Sequence, residues 1–119
     1  MPRLIEAPAR IPVPGGKLID EYVGRVVSAT SSVSVAHMRA PAGWSEPAQT
    51  PEFDEITLVL KGSLRIEHDG GRLDVAAGQA VITAAGERVR YVVGDREDAE
   101  YVAICLPAFA PDLAHRDGD

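Results

Sequence analysis

From Val33 onward the chain is a succession of short apolar runs, each closed by a turn signal, and this pattern points to an all-β barrel or sandwich. Strands are expected near 25–29, 33–40, 55–61, 63–68, 72–75, 80–83, 88–93 and 99–106, with shorter ones near 48–52 and 9–13. His68-Asp69-Gly70-Gly71 supplies residues that tolerate positive φ, as a tight hairpin requires. Ala77-Gly78 and Ala85-Gly86 punctuate two further turns. Val75, Val81, Ile82, Val89, Val92 and Val93 are β-branched and suit a pleated surface. No segment carries a helical period, and 111–116 has room for one turn of helix at most.

The length of 119 residues corresponds to one domain, large enough to bury a core without disulfide or metal staples. Pro2, Pro8, Pro12, Pro14, Gly15 and Gly16 make residues 1–16 an extended arm, and 17–119 the barrel domain. The lone Cys105 cannot close an internal disulfide, which favours a reducing compartment. The N-terminus has no apolar run of signal-peptide length, and no window approaches the roughly 20 apolar residues of a bilayer span. A soluble, cytoplasmic chain without a membrane partner is therefore expected. The net charge is −6 and the arginines are scattered, so no basic block is present to follow a phosphate backbone, and nucleic acid is not an expected partner.

The spacing of particular residues narrows the choice. Gly43, Glu55 and Gly62 keep the register of a motif with a glycine, a His-x-His five residues on, a glutamate, and a closing glycine. Gly78 and Gly86 keep the spacing of a second motif, in which a glycine leads to Pro-x-Gly, then histidine and asparagine. These are the two cupin motifs, and the chain resembles a small single-domain cupin of the RmlC-like superfamily. The resemblance spans both motifs and the segment between them. It implies a double-stranded β-helix, the jelly-roll barrel. It also implies a metal held by the two histidines of the first motif, its glutamate, and the histidine of the second. At those positions this chain has Gln49, Pro51, Glu55 and Val89, while Ala84 and Val93 replace the proline and asparagine. Only Glu55 is a strong ligand for a divalent ion and Gln49 is a weak neutral one, whereas transition metals normally take about three protein ligands or more. A degenerate metal site without a cofactor is expected. Within the superfamily, Glu52-Phe53-Asp54-Glu55 followed by Val59-Leu60-Lys61-Gly62 resembles the ethanolamine-utilisation cupins. Val102-Ala103-Ile104-Cys105-Leu106-Pro107, running on to His115-Arg116-Asp117-Gly118, is similar to the tail of ectoine synthase. That similarity implies that His115 returns to the barrel mouth.

In this register Glu55 points inward with Thr57 and Val59. A carboxylate among Val59, Val81 and Val89 would be desolvated, which raises its pKa toward the range of a working general acid or base. Gln49 would face the same cavity. Tyr91 lies two residues after Val89 and shares its inward face. Cys105 has the parity of Tyr101 and Ala103 on the last strand; without a basic neighbour it reads as a lining residue rather than a nucleophile. Trp44 follows the motif glycine at the barrel mouth, either as a lid or as a packing contact. Glu55 is thus the catalytic candidate, and Gln49, Trp44, Tyr91, Cys105 and His115 are the ligand-binding candidates. Each also has a plain structural reading, as a buried hydrogen-bonding partner, a core side chain or a solvated surface group. His37 and His68 are read as satisfied or solvated. The expected function is to bind a small organic ligand in a largely apolar barrel cavity, with metal-independent isomerase, cyclase or dehydratase chemistry at Glu55. One alternative is a non-catalytic sensing or structural barrel. Another is a metalloenzyme whose site is relocated to Glu55, Gln49 and a histidine outside the motifs. A homodimer is expected, with the arm lying across a neighbour and open sheet edges covered.

Overall fold

The computed structural model describes residues 1–118. Asp119, counted above in the barrel domain, lies outside the described residues. The elements are β1 (Ala9–Ile11), β2 (Leu18–Val23), β3 (Ser34–Ala40), β4 (Asp54–Lys61), β5 (Ser63–His68), β6 (Gly71–Ala76), β7 (Ala80–Thr83), β8 (Val89–Val92), β9 (Ala99–Leu106) and α1 (Pro111–Ala114). A six-stranded sheet in the order β1-β2-β3-β9-β4-β7 faces a three-stranded sheet in the order β6-β5-β8. Every pairing is antiparallel, and the fold is the all-β jelly roll.

Strand alternation decides what faces the interior. Ser34, Cys105, Glu55 and Thr83 stand opposite one another across β3, β9, β4 and β7, and all four are buried. The next inward row is Ala36, Ala103, Thr57 and Val81. The outward row beside them is Val35, Ile104, Ile56 and Ile82. Between the sheets, Val59, Leu64, Ile66, Val75, Val89, Val93, Tyr91 and Tyr101 form the main core. Full burial of an aliphatic side chain of this size contributes about 1.5–3 kcal/mol. A smaller cluster of Phe53, Cys105 and Ala114, with Phe109 and Leu113 against it, closes one end. Phe53 and Phe109 meet edge to face at 5.9 Å between centroids.

Gly62 joins β4 to β5 at φ 73°, and a Cβ at this position would collide with the Asp98 carbonyl oxygen. Glycine is required there on both counts.

Two segments depart from the strand pattern read in the sequence. Residues 25–29 turn instead of extending, and the strand of this region is β2. The cause is the buried Glu21, whose carboxylate accepts hydrogen bonds from the Val26 and Val27 amides at 3.1 and 2.8 Å. Ser28 adds a bond from the Gly24 amide at 3.0 Å. Residues 48–52 form isolated bridges rather than a strand, because Pro47 and Pro51 remove ladder donors around Gln49. Within residues 1–16, β1 pairs with β2, and Ile11 and Val13 reach the wall of the internal cavity. The C-terminal tail is also tied down. The Thr50 amide donates to the His115 carbonyl at 3.2 Å, and the Asp117 amide to the Ala48 carbonyl at 2.8 Å. Among the described residues no helix is long and apolar enough to cross a membrane.

Candidate functional site

The inner face of the large sheet, the 45–49 segment and the returning tail enclose a cavity of about 80 Å³. β4 contributes Glu55, β8 contributes Tyr91, and β9 contributes Tyr101, Ala103 and Cys105. Ser34, Ala36 and Met38 come from β3. Lys17, Glu46, Gln49 and Arg116 project from the irregular segments.

Glu55 is 8% exposed. Its carboxylate accepts from the Thr57 hydroxyl at 3.3 Å and the Cys105 thiol at 3.7 Å, both long contacts. Burial pushes Glu55 up to about 7; the Lys17 charge opposes this, the Glu46 charge adds to it, and the two hydrogen bonds lower it. Burial also raises Glu46, against the pull of Lys17 and Arg116. Lys17 is lowered by burial, with Glu46 and Glu55 acting the other way. Its Nζ lies over two rings, 4.3 Å from the Trp44 centroid and 5.5 Å from that of Tyr101. The Tyr91 hydroxyl is paired with Thr83 at 3.3 Å and is raised by burial and then by the Glu55 charge. Cys105 is raised by the same two causes.

Four of the residues singled out in the sequence come together here: Glu55, Gln49, Tyr91 and Cys105. Two do not line this cavity. Trp44 stands outside it, bounding an adjoining groove and covering Lys17. His115 is exposed and its imidazole pairs with Glu52. The tail does return to the barrel, but His115 is the left-handed cap that ends α1, and Arg116, which bridges to Gln49, is the residue that lines the cavity. Lys17, Glu46 and Arg116 were missed. They lie on segments without a regular period, so no alternation in the sequence marked them as inward-facing. The valine environment expected around Glu55 is also corrected. Val59 and Val89 belong to the core cluster, and the apolar part of the cavity wall comes instead from Ile11, Val13, Ile19, Met38, Phe109 and the alanines and tyrosines of β3, β8 and β9.

The donor set does not fit a transition metal. Pro51 and Val89 offer no ligand atom, which leaves the oxygens of Glu55 and Gln49. Among the described residues no three of His, Cys, Asp and Glu come close enough to hold an ion.

Residues 36–105 match the family model described as Cupin domain. The chain is 48% identical over 105 residues to Endoribonuclease YbeY of Myxococcus xanthus (strain DK1622), covering 88% of this chain and 36% of that protein. It thus spans little more than a third of the length of this curated relative. Among solved structures, the polyketide cyclase RemF of Streptomyces resistomycificus superposes with a TM-score of 0.75 at 18% identity, over 97% of this chain and 84% of that one. The ethanolamine utilization protein EutQ of Salmonella typhimurium LT2 gives 0.62 at 20% identity, over 78% and 71%. The two structural likenesses show the shared barrel.

Proposed function

This chain belongs to the cupin domain family, and on that premise we propose that its cavity binds a small organic molecule, with Glu55 as a metal-independent general acid–base. The observation that carries this reading is the buried Glu55 carboxyl, pushed up to about 7 inside a cavity. A group that titrates near the working pH can both take and return a proton, which is the requirement for general acid–base catalysis. Isomerisation, cyclisation and dehydration each need one proton removed and another delivered, and one carboxyl in a cavity can do both. Tyr91 and Gln49 orient the ligand. Cys105 keeps its proton and remains a donor to Glu55. RemF, of the same fold, is a polyketide cyclase by name; the reaction assigned to this chain rests on Glu55.

The ribonuclease name belongs to a protein of which this chain matches 36%. A net charge of −6 and a cavity of about 80 Å³ suit a small molecule better than a polynucleotide. We read the shared segment as a ligand-binding barrel within that longer relative.

The test is Glu55→Gln, assayed with a metabolite captured from lysate by the purified protein. The amide is nearly isosteric, so the fold is retained, while loss of a general base lowers turnover by about 10²-fold or more. Elemental analysis is expected to find no stoichiometric transition metal. One metal per chain, lost on substitution of Glu55, overturns the metal-independent reading. Turnover unchanged in Glu55→Gln overturns the role of Glu55.

A further inference from the structure

We propose that the cavity recognises the carboxylate of a small hydroxy-acid, with Arg116 and Lys17 facing that carboxylate and Gln49 accepting a hydrogen bond from the ligand's hydroxyl group. This inference rests on the small-molecule-binding reading of the cavity and names the class of ligand.

Among the described residues two buried side-chain polar atoms have no hydrogen-bonding partner, and both belong to residues that line this cavity: Gln49 Oε1 and Arg116 Nε. Gln49 is only 4% exposed. Buried polar groups without partners are rare in folded proteins and call for an explanation. The two atoms are of opposite sense, since the amide oxygen accepts and the guanidinium N–H donates. A ligand that satisfies both must bring one donor and one acceptor. Their residues are neighbours, because Gln49 and Arg116 form a backbone bridge between the 45–49 segment and the tail. Both groups therefore engage the same end of a ligand.

Charge identifies the acceptor. Arg116 has one carboxylate nearby, Glu46, with Nη2 to Oε2 at 3.9 Å. Lys17 has aromatic rings as its close neighbours rather than a carboxylate. Lys17 and Arg116 bring two basic side chains to the cavity, and the one carboxylate contact within 4 Å that either makes among the described residues is that of Arg116 at 3.9 Å, so a ligand carboxylate finds partners there. Arginine suits a carboxylate because its planar N–H groups match the two oxygens. Glu46 in the same cluster disfavours a doubly charged group such as a phosphate monoester. The volume, about 80 Å³, is well below the roughly 300 Å³ at which drug-sized pockets begin, so the acid is short. A carboxylate at this end leaves the adjoining carbons in the cavity that Glu55 lines.

The experiment is ligand-observed saturation-transfer NMR on the full chain. The probes are lactate and 3-hydroxybutyrate, each set against its primary amide, lactamide and 3-hydroxybutyramide. The acids are expected to bind and the amides not. Arg116→Gln and Lys17→Met, the latter keeping an apolar stem against Trp44, should each weaken acid binding by about tenfold or more. Amides that bind as well as acids overturn the carboxylate assignment while leaving the small-molecule reading standing. So does acid binding that neither variant weakens. If neither acids nor amides bind, the inference also fails, and the captured metabolite decides the parent reading separately. The comparison of acids with amides uses the unsubstituted protein, so it holds even if a variant does not fold.

Discussion

Cys105 stands directly opposite Glu55 in the β4–β9 ladder, and its thiol donates to the Glu55 carboxylate at 3.7 Å. Two protonatable side chains thus share one buried row of the large sheet. Burial disfavours the anion of each, and ionisation of either one raises the other. Near neutral pH Glu55 is the member of the pair that exchanges its proton, while Cys105 keeps its own.

The Cys105 thiol should be inert in the folded protein. Its pKa is raised, so the thiolate that attacks an electrophile is scarce, and the side chain is only 4% exposed. Alkylation by iodoacetamide at pH 8 is expected to be about 10²-fold slower in the native chain than in denaturant. Mass spectrometry of timed aliquots measures this. Equal rates in the two states would place the thiol at the surface.

Stability should fall as pH rises from 4.5 to 7. Glu55 has an ordinary value of 4.5 and a folded value of about 7. Between those limits the folded chain holds a proton that the unfolded chain has released. The favourable contribution is complete below 4.5 and is lost as pH passes the folded value. The change amounts to about 3 kcal/mol as an upper estimate. Glu46, also raised by burial, adds with the same sign. Lys17, lowered by burial, acts in the opposite sense at alkaline pH. Urea midpoints at pH 5 and pH 8 should differ accordingly, and Glu55→Gln should flatten the dependence. A slope that survives in Glu55→Gln would assign the effect to other groups.

The strand framework was legible because period-two alternation and the turn glycines are local signals. The β4–β9 row followed from it, and with it the inward placement of Glu55, Thr57 and Cys105. What was not legible came from side chains that act across the fold. Glu21 holds the turn after β2 through amides five and six residues on, so Val26 and Val27 looked like strand residues. Lys17, Glu46 and Arg116 sit on segments without a regular period, where sequence does not say which side chain turns inward. His115 was chosen for its chemistry, and the residue beside it occupies the place.

Gly62 and Gly78 should differ in their tolerance of alanine. Both have positive φ, 73° and 86°. An added Cβ at Gly78 meets nothing within 4 Å, so Gly78→Ala should lose only the roughly 1–2 kcal/mol of the left-handed conformation. At Gly62 the Cβ runs into the Asp98 carbonyl, which lies on the backbone and cannot rotate away. Gly62→Ala should therefore melt at a clearly lower temperature than Gly78→Ala. Equal melting temperatures would show that the β4–β5 turn relaxes freely.

The chain should form a homodimer through the outward face of its large sheet. Cross-strand register lines up Val35, Ile104, Ile56 and Ile82 on that face, with Leu58 and Val102 in the row beside them. Ile82 is 74% exposed and Leu58 is 40% exposed. Contiguous apolar side chains on an otherwise soluble surface mark a contact with another protein surface. A sheet face meeting its own copy about a two-fold axis is self-complementary by symmetry. The N-terminal arm is less suited to this task than the sequence suggested, because β1 is already paired with β2 of its own chain. Light scattering at micromolar concentration should give twice the chain mass, and Leu58→Glu or Ile82→Glu should give the monomer with its circular dichroism unchanged. A monomer mass for the unsubstituted chain would rule out the dimer. A dimer that withstands both substitutions would move the interface to the sheet edges, where β7 leaves one side of its ladder open.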